Sequence, residues 1–351
     1  MKLSQATLCA ILALALVSAC GGEEPPAPTP TPTKTQTPAP EPEPEPEPEA
    51  DPEYWPLTGV ETNDLIERPA VAVKIENSAA ARPQTGLDAA DVVWETIIDF
   101  DVSRLIAVYH SQLPEEIGPI RSVRPVDPDV VSAFGGVLAF SGGQQGVLNL
   151  IHSSASQPLS HDAASGGFYR VKWRRAPHNV YGSLEAFLSQ VDSDHDAPPQ
   201  EQFLFAHEDE EPTAVADGDK IETLTFNLSS MSQPSWTWDA NAKAWLRSEG
   251  QSQHLDRDEN PLQSVNVVAV TAPHIPSGFS AQNNAAVPTY DLVGEGDVVV
   301  ATGGKVLEGT WKKEDPDSPL ELLTADGDEV LLAPGNTWVE LVPQGKGSVS
   351  Y

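Results

Sequence analysis

The sequence predicts an α+β protein, with a mixed α/β N-terminal domain followed by a mostly antiparallel β C-terminal domain. Three observations lead there. Short β-branched runs of strand length recur along the chain, as in Pro69-Ala-Val-Ala-Val-Lys-Ile75 and Asp297-Val-Val-Val-Ala301. Helical patterns are brief and fall in the first half, at 127–134, 147–152 and after Ser183. Between 192 and 212 the chain turns polar, acidic and proline-bearing, as a linker does. This sets an N-terminal domain at 54–195, a linker at 196–215 and a C-terminal domain at 216–351, both domains of ordinary size.

The first nineteen residues read as an address. Met1 and Lys2 give a basic start, 6–17 an apolar core, and Val17-Ser-Ala-Cys20 small residues before a cut. A cysteine directly after the cut is similar to the bacterial lipobox, so Cys20 is the expected lipidation site and the membrane the expected partner. Cys9 leaves with the signal, so the mature chain keeps no free thiol; disulfides and cysteine catalysis are excluded. Residues 20–53 are a tether. Glu41-Pro-Glu-Pro-Glu-Pro-Glu-Pro-Glu49 has nothing to bury, and alternating Pro and Glu favours an extended spacer at roughly 3.1 Å per residue.

In the 351 residues, Asp and Glu number 52 against 20 Lys and Arg, a formal charge of -32. Nucleic-acid binding needs the opposite balance and is excluded. An anionic bilayer repels such a chain, which leaves anchoring to the lipid.

The strands follow in order. After the run at 69–75 comes an irregular loop, 77–87, punctuated by Arg82-Pro83-Gln84-Thr85-Gly86. Ala90-Asp-Val-Val-Trp-Glu-Thr-Ile-Ile98 and Arg104-Leu-Ile-Ala-Val-Tyr-His110 form a hairpin through 99–103. Val137-Leu-Ala-Phe140 is a strand leading through Ser141-Gly-Gly-Gln-Gln-Gly146 into a helix. That order is one of phosphate-cradling loops, but the spacing of such motifs is missing. Ser183 is the N-cap of a helix through Gln190. In the second half, strands are expected at 224–228, 236–238, 244–247, 265–270, 290–296, 297–301, 305–311, 319–323 and 337–342, with a turn at Asp326-Gly327.

Candidate chemistry gathers where cations do. Of eighteen Lys and Arg after the tether, ten lie between Arg68 and Arg175. Ile117-Gly-Pro-Ile-Arg-Ser-Val-Arg-Pro125 holds Arg121 and Arg124 between two prolines, which stiffen the backbone. Phe168-Tyr-Arg-Val-Lys-Trp-Arg-Arg-Ala-Pro-His-Asn-Val-Tyr181 interleaves cations with aromatic rings. A planar guanidinium fork suits carboxylate, phosphate or sugar-acid oxygens, and aromatic faces suit sugars. The leading expectation is an envelope protein binding an anionic or glycan ligand through Arg82, Arg121, Arg124, Arg174, Arg175, His178 and Asn179. The bland alternatives are ion pairs that pin loops and an amphipathic strand with a solvated face.

A second expectation is a glycan hydrolase using Glu95 or Asp127 with His178, the other carboxylates in view being Asp99, Asp101 and Asp162. Such chemistry needs two carboxyls about 5 to 9 Å apart. A third is a protein–protein scaffold using Trp311 and Trp338 of the β domain, for which core positions are the plainer reading. No metal or cofactor is expected: His110, His152, His161 and His178 are scattered, and no Gly-x-Ser-x-Gly elbow occurs.

Several motifs carry a resemblance. Pro56-Leu-Thr-Gly59, Ala81-Arg-Pro-Gln-Thr-Gly-Leu87, Ala90-Asp-Val-Val-Trp-Glu95, the 117–125 segment, Arg174-Arg-Ala-Pro-His-Asn-Val-Tyr181, Gly304-Lys-Val-Leu-Glu-Gly-Thr-Trp311 and Pro334-Gly-Asn-Thr-Trp-Val-Glu-Leu-Val-Pro343 resemble the YerB-like lipoprotein family of bacteria, a domain of unknown function. The resemblance spans nearly everything after the tether. It implies an exported lipoprotein with the family's N- and C-terminal domains, and no settled activity. An Ala/Asn-rich insertion around 280–287 departs from it and is left out of any site.

Overall fold

The computed structural model describes residues 52–281 and 284–351. The signal, Cys20 and Pro/Glu-repeat readings lie outside the described residues. Strands dominate and helices are few and short, so the α+β class holds in its coarse form.

The strands that matter are β1 (Val71–Glu76), β2 (Val92–Ile97), β3 (Ser103–Tyr109), β4 (Val137–Phe140), β5 (Gln157–Ser160), β6 (Phe168–Arg170), β7 (Val180–Gly182), β8 (Asp219–Lys220), β9 (Thr223–Asn227), β10 (Pro234–Asp239), β11 (Ala244–Glu249), β12 (Asn266–Ala272), β13 (Gly294–Thr302), β14 (Lys305–Lys313), β15 (Glu321–Thr324), β16 (Thr337–Pro343) and β17 (Ser348–Ser350). One sheet runs in the order β8-β14-β13-β12-β16-β2-β3-β1-β4-β5, with β15 on β14. A second, antiparallel sheet holds β11, β10, β9 and β17.

The large sheet draws strands from both sides of the expected linker. β16 pairs in parallel with β2, Trp338 beside Val93 and Glu340 beside Glu95, and residues from 52 onward fall in one compact unit. β12 also pairs in parallel with β16, where the sequence led to expect an antiparallel second half. Strands flanked on both sides and covered on both faces read as continuous apolar runs, so periodicity says nothing about their direction. All six residues of β1, all six of β2 and all seven of β16 are buried.

Local signals hold well. β2 and β3 form the expected hairpin, and Val137–Phe140 is the strand read from its four residues. Helix α1 (Asp127–Val131) runs on into a 3-10 turn, and α2 (Gln145–Ile151) follows the glycine-bearing loop. Ser183 caps α3 (Leu184–Leu188), its hydroxyl accepting from the Ala186 amide. The expected turn at Asp326-Gly327 carries Gly327 at φ 89, in the left-handed region that glycine tolerates. Trp311 and Trp338 are buried, which removes them as a scaffold's docking surface. Each sits on a strand of the large sheet, and the Trp311 indole donates to the Thr271 carbonyl at 2.9 Å.

Candidate functional site

The 117–125 segment lies across the carboxyl ends of β1 and β4. Arg121 N–H donates to the Lys74 carbonyl at 2.8 Å, Ser141 N–H to the Arg121 carbonyl at 3.0 Å, and Val123 N–H to the Gly142 carbonyl at 2.9 Å. Ile120 N–H donates to the Val180 carbonyl at 2.7 Å, which joins the segment to β7 as well. The backbone bonds that stiffen it therefore come from three neighbours, and they fix where its arginines point.

Each arginine then meets a partner within the fold. Arg121 Nε lies 2.9 Å from Glu76 Oε2, and His178 Nδ1 lies 2.9 Å from the same carboxylate. Burial acts to raise the Glu76 carboxyl, but hydrogen bonds from Arg121 and His178 outweigh it, and the net direction is down. Arg124 pairs with Asp99 at 2.8 Å, while its backbone N–H donates to Asp127. Asp127 is fully buried against Lys74 Nζ at 2.7 Å. Burial pushes that lysine down to about 8 against the pull of Asp127. Arg82 pairs with Glu249 at 3.2 Å. Arg174 donates to the carbonyls of Ala80 and Pro83. Asn179 accepts from Arg170 at 2.7 Å, and Arg175 is exposed.

The expected set thus separates. Arg121 and His178 meet on Glu76, and Arg174 clasps the loop that carries Arg82. Arg124 sits apart, on Asp99. The pairing expected of Glu95 or Asp127 with His178 is not formed, because both carboxylates are buried in ion pairs of their own while His178 is held by Glu76. Among the described residues, no group of three or more His, Cys, Asp or Glu is placed to hold a metal ion.

What the arginine clasp builds is an aromatic and cationic face. Trp173, in the loop between β6 and β7, is 48% exposed, a large indole left in water. The Arg174 guanidinium lies 5.0 Å from its ring centroid and that of Arg257 lies 4.3 Å away, within cation–π reach. Tyr181 packs its ring against the indole at 5.3 Å. Glu116 ties the surroundings together, accepting from Tyr169 at 2.8 Å and from Arg257 at 2.7 Å. Arg257 also lines an open cleft of ≈ 480 Å³, together with Arg82, Pro83, Glu249, Gln253 and Asp256. The cleft draws on both halves of the chain.

Comparison with known proteins matches two stretches of this one compact unit. A family model described as "Protein of unknown function (DUF3048) N-terminal domain" matches residues 57–197, and its C-terminal counterpart matches 224–339. The chain belongs to the DUF3048 family. It is 27% identical over 293 residues to a protein of Bacillus subtilis (strain 168) named as a candidate lipoprotein, YerB; the match covers 82% of this chain and 86% of that one. The crystal structure of the YerB protein from Bacillus subtilis superposes with a TM-score of 0.72 at 25% identity, covering 85% of this chain and 100% of that one.

In this DUF3048 chain a second polar centre escaped the sequence reading, and it is buried. Arg247 of β11 is fully enclosed and donates to Glu95 of β2 and to Glu249. Glu340 of β16 lies beside Glu95 and accepts from the Trp236 indole at 3.0 Å. Burial, and then the neighbouring Glu95, push the Glu340 carboxyl well up. Of this pair the proton therefore favours Glu340, while Glu95, the carboxylate that Arg247 meets directly, is pulled down by that charge against its own burial. Asn77 and Ser232 donate to Glu95 at 3.0 and 3.1 Å. His254 lies between Arg247 and Gln84: its Nδ1 accepts from the guanidinium, so its Nε2–H donates to Gln84 Oε1 at 2.7 Å. The one sequence signal for this centre is a glutamate inside each of two apolar runs, Val-Val-Trp-Glu-Thr-Ile and Thr-Trp-Val-Glu-Leu-Val.

Proposed function

We propose that this protein is an extracytoplasmic lipoprotein, anchored through Cys20, that binds an anionic or glycan ligand of the cell envelope on its Trp173 face. The observation that carries the reading is an exposed indole bracketed by two guanidinium groups at the rim of a polar cleft. Such a face stacks a sugar ring and meets its acidic substituents with bidentate donors. In a chain of net charge -32, cations held at a surface also select anions over the general repulsion.

Of the residues expected from sequence, Arg82, Arg174 and Arg175 are the ones proposed to contact the ligand, joined by Trp173 and Arg257. Arg121, His178 and Asn179 support them: the first two hold Glu76, which leads into the loop that Arg174 clasps, and Asn179 holds Arg170. The family relationship supports the anchor, because the Bacillus subtilis relative carries a lipoprotein name. Among the described residues no helix is long and apolar enough to cross a membrane.

The test is equilibrium binding of the full chain to polygalacturonate, as a model acidic glycan, and to wall teichoic acid, an acidic wall polymer. Trp173→Ala is expected to weaken binding about tenfold, in line with a cation–π and stacking contribution of roughly 1–2 kcal/mol. Affinity that Trp173→Ala and Arg257→Ala both leave unchanged, or no binding by the native protein, would sink the reading.

A further inference from the structure

A second cleft, of ≈ 510 Å³, opens at the carboxyl ends of β4 and β5, away from Trp173. Asp99, Phe100, Ser122, Arg124, Gln144 and Asp162 line it, and the insertion set aside in the sequence reaches its wall through Ala281 and Val287. Open α/β sheets take their ligands outside the carboxyl ends of their strands. Gly142 admits the close approach that shapes it: a Cβ there would lie 2.2 Å from Asp162 Oδ2.

Two independent features single this cleft out. Phe100 is 71% exposed and stands at φ 63, in the left-handed region where a bulky side chain is strained. Such strain persists where the surroundings enforce it, and it clusters at ligand sites. Here the neighbouring Asp101 is held by the Ser229 and Ser230 hydroxyls, the latter at 2.8 Å, which fixes the turn with the ring turned outward. The second feature is Asp99. Both Arg124 contacts fall on its Oδ2, at 3.0 and 2.8 Å, and Oδ1 is buried with no hydrogen-bond partner. A buried acceptor left unsatisfied is costly, and because Asp99 lines the cleft, a ligand donor that reached Oδ1 would relieve that cost.

The charges around the cleft decide the kind of ligand. Lys74, Arg104, Arg121 and Arg124 are balanced by Glu76, Asp99, Asp127 and Asp162, so the neighbourhood has no excess of cations to attract an anion. What it offers is an aromatic face, an acceptor and spare guanidinium and amide donors, set side by side. A neutral ring carrying adjacent hydroxyls, each both donor and acceptor, satisfies that combination.

We propose that this cleft is a binding site for a neutral hexopyranose chain. Phe100 stacks on a sugar face, and Asp99, Arg124 and Gln144 bond its adjacent hydroxyls. The site is separate from the Trp173 face and stands on different residues.

Titration calorimetry of the full chain with cellotetraose and with tetra-N-acetylchitotetraose tests it. The native protein is expected to bind at least one of the two, and Phe100→Gly to lose at least tenfold in affinity. Glycine suits φ 63, so that variant keeps the fold, checked by circular dichroism. Gln144→Ala, on a half-open surface, is expected to weaken binding about threefold. Trp173→Ala should leave tetrasaccharide binding unchanged, while Phe100→Gly should leave binding of the acidic polymers unchanged, so the two sites stand or fall separately. Failure of both tetrasaccharides to bind at millimolar concentration would overturn the proposal, as would a folded Phe100→Gly protein with native affinity.

Discussion

Arg247 and Arg174 each place a guanidinium 5.0 Å from a tryptophan ring, Trp338 in one case and Trp173 in the other. The resemblance ends at the solvent boundary. Around Arg247 both terminal nitrogens meet acceptors inside the fold, Nη1 at His254 and Nη2 at Glu95 and Glu249, and Trp236 closes the other side. Around Arg174 the acceptors are two loop carbonyls, and the indole it covers remains half in water. The same pair of side chains thus serves cohesion where it is enclosed and leaves an open face to solvent where it is not. The motif cannot distinguish these uses; burial does.

The largest effect that separates the two regions is the loss of the buried charge. Arg247→Ala leaves Glu95 enclosed without its counter-ion, and breaking a buried pair from one side costs about 3–5 kcal/mol. Urea unfolding of the variant should show a drop of that size, and a loss below about 1 kcal/mol would mean that water already reaches this centre.

A smaller effect follows from acid. The unfolded chain protonates its histidines near 6.5, whereas burial, and then the Arg68 charge, hold His110 down to about 4. Burial, with Arg247 and Arg82 behind it, holds His254 well below the ordinary value. Between those limits these histidines take up protons on unfolding, so their contribution to stability falls as pH drops from about 6.5 to about 4, while the raised carboxyls of Glu340 and Asp129 contribute in the opposite direction. Urea midpoints measured across that window check the direction. His254→Gln removes one of these histidine contributions, to which a lowered His274 also adds, and should give a shallower fall; an unchanged slope would place proton uptake elsewhere.

The smallest effect belongs to the open face. Trp173→Ala should change unfolding free energy by no more than about 0.5 kcal/mol, as surface substitutions do, while it weakens ligand binding. A loss of several kcal/mol would make Trp173 part of the packed body and end the contrast with Arg247.

The comparison also explains what could be read from the residues. Trp173, Arg174 and Arg175 stand out because cations and rings crowd a short stretch. The sequence offers Glu95 only as an alternative acid or base for a hydrolase, and the structure makes it one end of a buried bridge to β11. Arg247 carries no local mark at all. Its partner Glu95 is 152 positions away, and no spacing rule reaches that far. Arg257 and Gln84 were missed for the same reason, since each acquires its role from a segment of the other half.

By itself the sequence determined the α+β class, the strand at Val137–Phe140, the Ser183 cap, the β2–β3 hairpin and the motifs of its family. These depend on side-chain period, capping and turn chemistry, which act over a few residues. Only the tertiary structure decided that β16 lies parallel to β2, that Glu340 thereby comes beside Glu95, and that Arg121 and Arg124 turn to Glu76 and Asp99. A strand buried on both faces shows no alternation to reveal its neighbour, and an arginine in a linear motif does not reveal which carboxylate it will meet. Both are settled when distant segments share one dry core, where unpaired charge and unpaired backbone are too costly to persist.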